Sequence, residues 1–307
     1  MMFTKKTVSI LLSVFLIFTM TICAGADGTS STGVVGTRAV VGADLTDDQI
    51  ALVYNNFGIT RGTVPEFRMN NTMERQYLEG YVDSSVIGTR SVSCVYVTIK
   101  NDGSGMNVST SNVNWCTANM YISALATAGI TDADIIVTAP FEVSGTAALV
   151  GIYWAYEDIT GNTLSETAKL VSTQELTVTG NLAEEIGSMD ATDIVNDLKL
   201  MLDETQTMTD DEIREEIVAI AAEYNVSLTE KQISQLISLC RSLEEVKGDD
   251  NALIERVQQV QSTLTKVKEA KTKVTGFIDT VQKTVESVSS FFTRIAGILG
   301  FNNSPAQ

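Results

Sequence analysis

The chain has no histidine among its 307 residues. Imidazole is the general base of Ser-His-Asp and Cys-His triads and a common zinc ligand, so those chemistries are excluded outright. Cys94, Cys116 and Cys240 stand too far apart in sequence to suggest a thiolate site. No metal and no cofactor is expected. The residues left for binding or catalysis are a helix start, one arginine, paired acids and a few aromatics. Val143-Ser-Gly-Thr-Ala-Ala148 follows an apolar β-run and opens an apolar helix. Backbone N–H groups at Ser144, Gly145 and Thr146 could hold an anion there. More simply, Ser144 caps the helix and Gly145 lets the backbone approach the sheet. No Walker lysine and no Gly-x-Ser-x-Gly is present. Arg90 begins a central strand, where its guanidinium could grip a carboxylate or phosphate, or pair with an acid of the body.

Acid pairs occur at Asp47/Asp48, Asp132/Asp134, Asp190/Asp193, Asp210/Asp211 and Asp249/Asp250. Two carboxylates flanking a sugar are what a glycosidase needs. Most of these acids fall in first helical turns, where the dipole favours them. A calcium loop demands a denser ligand set. Tyr121, Tyr153, Trp154 and Tyr156 could line a sugar-binding cleft, although aromatics on helices more commonly fill cores. Cys94 and Cys116 flank one hairpin and either pair or serve as small buried apolar residues.

These residues must be positioned by the elements around them. Thr46 with Gln49 forms a capping box for a helix whose apolar face is Ile50, Val53, Tyr54 and Phe57, ended by Gly58. A strand over 63–69 is an edge or late-starting one because of Pro65. Asn71 with Glu74 caps a short helix. Residues 91–100 are apolar on both faces and read as a central strand. After the turn at 101–105, residues 106–113 return as a more polar strand. A helix over 117–128 and an apolar β-run over 134–139, closed by Pro140, follow. The order from 63 to 139 is β-α-β-β-α-β, that of a ferredoxin-like sandwich in the α+β class. Val40 and Val41 could add a strand. Helices are expected near 164–187, 190–205, 209–224 and 229–246, with capping boxes at Thr163/Glu166, Thr209/Glu212 and Thr229/Gln232. Residues 176–179 interrupt the first of them.

The termini carry the clearest patterns. Lys5 and Lys6 precede an apolar run over 8–22 and then Ala24-Gly-Ala26, the form of a signal peptide cleaved after Ala26. A lipoprotein anchor at Cys23 lacks the small residue it needs, because Ile22 precedes it. At the other end, apolar residues fall at Leu253, Val257, Val260, Leu264, Val267, Val274, Ile278, Val281, Val285, Val288, Phe292, Ile295 and Leu299. Steps of four and three alternate, with Lys271 filling one place in register, so this is a heptad stripe. Phe277, Phe291 and Ile298 widen it beyond a two-stranded seam. Such a helix needs cover from the same chain, another chain or a lipid surface. The expected organisation is therefore a signal peptide (1–26), a flexible leader (27–45), an α+β domain (46–160), a helical region (161–248), a long heptad helix (249–301) and a tail (302–307).

Residues 27–250 carry 34 acidic and 12 basic residues, a net −22, whereas 251–307 carry 4 and 7, a net +3. An acidic body argues against a nucleic-acid partner, because phosphates are repelled.

The body resembles a known family. The stretches that carry the likeness are Gly42-Ala-Asp-Leu-Thr46, Tyr77-Leu-Glu-Gly-Tyr-Val82, Ile87-Gly-Thr-Arg90, Ala126-Thr-Ala-Gly-Ile130, Val143-Ser-Gly-Thr-Ala-Ala-Leu149 and Leu176-Thr-Val-Thr-Gly180. They resemble the YpuA-like secreted proteins of Gram-positive bacteria, a family defined by one domain of unknown function. The likeness runs to about Leu243. Cys94, Cys116 and the length of the heptad tail depart from it. The resemblance implies export and an envelope role, and brings no catalytic residue to carry over. The expectation is an exported, envelope-associated protein that binds or assembles without catalysis, through a protein partner or a second copy at its heptad helix. The alternatives are a wall-polymer hydrolase using carboxylates and a protein docking on the membrane surface through the same helix.

Overall fold

The computed structural model describes residues 33–82 and 84–264. The expected signal peptide and the stripe from Val267 to Leu299 lie outside the described residues. The elements are β1 (Val34–Gly42), α1 (Asp47–Phe57), β2 (Glu66–Met69), α2 (Asn71–Leu78), α3 (Ser84–Ile87), β3 (Cys94–Lys100), β4 (Asn107–Val113), α4 (Ala118–Ala128), β5 (Ala133–Val143), α5 (Thr146–Thr160), α6 (Glu166–Ile186), α7 (Ser188–Leu200), α8 (Leu202–Thr205), α9 (Asp210–Glu223) and α10 (Glu230–Asp249). A further helix, α11, covers 253–264.

The sheet order is β2-β1-β3-β5-β4. β1 runs parallel to β2 and β4 parallel to β5, while β3 is antiparallel to both β1 and β5. Each parallel pair is joined through a helix, α1 or α4, as parallel neighbours require. The protein is thus α+β, but its sheet is mixed and five-stranded, not the antiparallel four-stranded sheet of the expected ferredoxin-like order. The order departs at both ends: β1, which lies where a flexible leader was expected, separates β2 from β3, and β5 lies between β3 and β4, so those two strands do not pair as the expected hairpin. The Gly-Thr-Arg centre of β1 hides the signal, yet Ala39, Val40 and Val41 are all buried, so both faces of β1 are covered.

Alternation divides the sheet residues between two cores. Val40, Val95, Val97, Ile99, Ile135 and Val137 face α4 and α5. Ala39, Val41 and Cys94 face Ile50, Val53, Tyr54 and Phe57 of α1. β3 is therefore covered on both sides, as its two-faced apolar sequence predicts. β5 does not stop at Pro140. Beyond Thr138 its ladder with β3 is finished, and β4 reaches it again only at Val113 opposite Val143. Pro140 falls in that irregular interval, where no ladder N–H is required. Asn112, at φ 56°, closes the gap by donating Nδ2 to Ala139 O at 2.7 Å.

Helix starts follow the side chains that can satisfy free N–H groups. Complete capping boxes form at Thr46/Gln49, Thr209/Glu212 and Thr229/Gln232. Two expected caps move by a residue or two: Asn70 rather than Asn71 caps α2, and Ser165 rather than Thr163 caps α6. α6 is continuous through 176–179, where an interruption was expected. Leu176, Thr177 and Thr179 are buried, and the two threonines donate to carbonyls four residues back, Thr173 O at 2.9 Å and Glu175 O at 2.7 Å. Burial and these bonds override the β preference of Thr-Val-Thr. Cys94, Cys116 and Cys240 are buried free thiols, so no bridge joins the first two.

Helices α6–α10 close a second core around Ile194, Leu198, Ile213, Ile217, Leu236 and Leu239. α6 lies against α4, joining this layer to the sheet. Gly180 makes the approach possible: a Cβ there would sit 2.3 Å from Trp115 Cη2. Trp115 then donates Nε1 to Glu184 at 2.8 Å. α11 ties the layers a second time. Its Leu253 and Val257 enter the helical core, and Val260 and Leu264 enter the sheet core. The first four stripe positions are thus covered by the chain itself. Among the described residues, no helix is long and apolar enough to cross a membrane.

Candidate functional site

The residues nominated from sequence are held in separate places. Gly145, at φ 93°, precedes α5, and no side chain caps that helix. Tyr121 donates its hydroxyl to Gly145 O at 2.6 Å, and Cys116 N donates to Ser144 O at 3.0 Å. A Cβ at 145 would lie 2.5 Å from Val113 and 2.6 Å from the Tyr121 hydroxyl, so glycine is required by space as well as by φ. Thr146 is buried. Ser144, Gly145 and Thr146 thus form the packed junction of β4, α4 and α5. Arg90 belongs elsewhere and donates Nη2 to Asp44 O at 3.1 Å.

Several acids of the nominated pairs meet a base or an N–H group. Asp47 pairs with Arg61, Asp134 with Lys100, Asp210 with Arg241 and Asp250 with Arg256. Of the four aromatics, Tyr121 and Tyr153 are core residues, and Trp154 stacks on Phe67 with ring centroids 3.7 Å apart. Tyr156 alone of the four lines a cleft of about 280 Å3 among the described residues.

That cleft, of about 280 Å3, opens where β1 begins, β3 ends and α5 ends. Val35, Ile99, Lys100, Asp102, Gly129, Thr131, Asp132, Tyr156, Thr160 and Asn162 line it. Asp132 is fixed by Gly105 N at 2.6 Å and by the Thr131 hydroxyl at 2.8 Å. Lys100 is engaged with Asp134 at 2.9 Å. Burial pushes the Tyr156 phenol above its ordinary range, and the charge of Asp102 adds to that. A smaller cleft, of about 110 Å3, lies between α2, α5 and α6 with Met69, Met73, Tyr77 and Trp154 in its wall. Lys169 at its edge spends its three hydrogens on Glu166 at 2.6 Å, Glu157 at 3.1 Å and the Tyr77 hydroxyl at 3.2 Å.

Sequence reading missed the densest polar cluster altogether. Glu175 of α6, Lys199 of α7 and Ser123 of α4 are 1%, 0% and 2% exposed. Lys199 Nζ lies 2.9 Å from Glu175 Oε1, 3.0 Å from Ser123 O and 3.1 Å from Ser123 Oγ. Thr127 donates to Glu175 Oε2 at 2.5 Å. Ser123 has one proton for two acceptors, Glu175 Oε1 at 2.6 Å and Asn196 Oδ1 at 2.7 Å. Asn196 Nδ2 has no hydrogen-bond partner. Turning that amide over places Nδ2 on Ser123 Oγ and removes the surplus. A serine beside a lysine is the arrangement of a Ser-Lys nucleophile. Here substrate has no access, and the ammonium is committed to Glu175, so the cluster joins helices. The signal was available: Glu175 stands four residues after Val171, and Lys199 four after Val195, both on buried helix faces.

A second buried carboxyl, Glu74, sits beneath Arg90's loop. Ser91 donates its hydroxyl to it and Asn71 its amide, at 3.3 Å. Burial raises its pKa to about 7 against these two bonds. Among the described residues, no group of three or more cysteine, aspartate or glutamate side chains is placed to hold a metal ion.

The chain belongs to the family described as "Protein of unknown function (DUF1002)", which matches residues 41–286. It is 34% identical over 265 residues to the uncharacterized protein YpuA of Bacillus subtilis (strain 168), covering 84% of this chain and 88% of that protein. No solved structure matches.

Proposed function

We propose that this is an exported, non-catalytic protein of the Gram-positive cell envelope that acts by assembly, through a coiled-coil helix at its C-terminus. Export rests on the sequence pattern ending at Ala26. The observation that carries the assembly reading is the heptad stripe. Leu253, Val257, Val260 and Leu264 are buried by the chain's own two cores. The same spacing continues in the sequence from Val267 to Leu299, outside the described residues. A helix that keeps this spacing requires apolar cover along its length. A second copy or another envelope protein supplies it on this reading.

Light scattering of the full chain and of a chain ending at residue 264 tests the proposal. The full chain is expected to run at an oligomeric mass or to co-purify with a crosslinked partner, and the shortened chain as a monomer. Equal monomeric masses with no crosslinked partner remove assembly. Membrane docking is the second reading, favoured by Phe277, Phe291 and Ile298 beside the stripe and by the net +3 of 251–307. Flotation with anionic liposomes detects it, and a chain that stays at the bottom of the gradient excludes it.

A further inference from the structure

We infer that the larger cleft, at the end of the sheet where β3 turns toward β4, binds a saccharide ring. The inference is independent of the C-terminal stripe. Three properties of the cleft carry it. First, it combines apolar and polar groups in the way a sugar does. Val35 and the ring of Tyr156 offer surface to C–H groups. Asp102, Asp132, Thr131 and Asn162 offer acceptors and donors to hydroxyls on the same wall.

Second, charge narrows the class. Lys100 is already neutralised by Asp134, so the cleft presents two carboxylates, those of Asp102 and Asp132. A phosphate or carboxylate ligand is repelled by such a site. A metal ion would want a denser acidic set, and no group of three acids is found among the described residues. An uncharged ligand rich in hydroxyls suits carboxylates best, because O–H donation to an ionised oxygen is the strong form of this bond.

Third, the polar groups are prepared for a ligand. Asp132 is held by Gly105 N and Thr131, so little freedom is lost when it accepts from a ligand. No hydrogen bond or ion pair among the described residues occupies the Asp102 carboxylate, and it is exposed. The cavity of about 280 Å3 is near the small end of ligand pockets, the size for one ring of a longer polymer.

Saturation-transfer difference NMR on the full chain, with chitotetraose and cellotetraose as probes, tests the assignment. Transfer to the ring protons of at least one tetrasaccharide is expected. Asp102→Asn, without moving the unfolding midpoint, and, separately, Asn162→Ala, which also removes the bond of Asn162 to Tyr156, are each expected to weaken that binding about tenfold, the loss of one hydrogen bond to a charged or amide group. Transfer to neither probe, or transfer that both variants leave unchanged, overturns the assignment. Because the readout does not depend on oligomer mass, failure here leaves the assembly reading standing, and the reverse also holds.

Discussion

Lys199 and Lys169 are both buried, both beside glutamate, and lie in neighbouring parts of the helical layer, yet their surroundings treat them in opposite ways. Burial lowers the pKa of Lys199, and Glu175 only partly opposes it. Burial also works against the charge of Lys169, but Glu166, Tyr77 and Glu157 outweigh it and hold the ammonium above its ordinary range. The difference is access. The acids around Lys169 remain partly in water, so that cluster forms cheaply at the rim of a cleft. The pair at Lys199 is sealed between α4, α6 and α7, where each charge exists only because the other does. A buried pair of this kind adds little net stability, but losing one partner leaves the other charge uncompensated in the interface.

The strongest break in the comparison is Lys199→Met, which leaves Glu175 charged in a dry interface. It is expected to cost about 3–5 kcal/mol in urea unfolding, and pairing it with Glu175→Gln to recover much of that loss. A double variant no more stable than the single one contradicts the account. Glu74 sharpens the contrast, being a buried carboxyl with no ion pair among the described residues. Its folded pKa of about 7 lies above the ordinary carboxylate value of 4.5. Its contribution is therefore complete at acid pH and lost as pH rises toward 7, about 3 kcal/mol across that window. Glu74→Gln should flatten that stretch of the stability profile; an unchanged slope places Glu74 outside the titration.

Gly180→Ala attacks the same interface from its apolar side. The new methyl displaces Trp115 and strains its bond to Glu184, an expected loss of about 1–3 kcal/mol that exceeds the helix propensity gained. Trp115→Phe in the same chain should return part of it, and tryptophan fluorescence reports the displacement. The smallest effect belongs to Lys169→Met, about 1 kcal/mol or less, shrinking as salt is added. A loss as large as that of Lys199→Met would erase the distinction between the two lysines.

Local rules were legible wherever a residue acts on its own neighbours. The boxes at Thr46, Thr209 and Thr229, the central position of β3 and the edge position of β2 all follow from side chains a few residues apart. The sheet order was not legible, because β1 has a weak pattern and strand order depends on pairings across the whole chain. Pro140 misled for the same reason: whether a missing N–H matters depends on what lies opposite. Leu176-Thr-Val-Thr179 stays helical because its environment supplies carbonyls and burial that no local preference contains. Of the aromatics nominated for a cleft, only Tyr156 lines the larger one, since helical spacing fixes a face but not whether that face meets solvent. The Glu175–Lys199 pair was readable as charge on a buried face, but its partner Ser123 comes from a helix more than fifty residues earlier.

α11 has a mechanical consequence. Its order of attachment runs from the helical core at Leu253 to the sheet core at Leu264. A load drawn from beyond Leu264 therefore peels the sheet contact first and the helical contact last. Arg256, which donates to Ala126 O at 2.9 Å, lies within the helical contact and adds a catch to the part that lets go last. Tension along the C-terminal helix would thus uncover the sheet layer at Val260 and Leu264 while the rest of the helical layer still holds its shape.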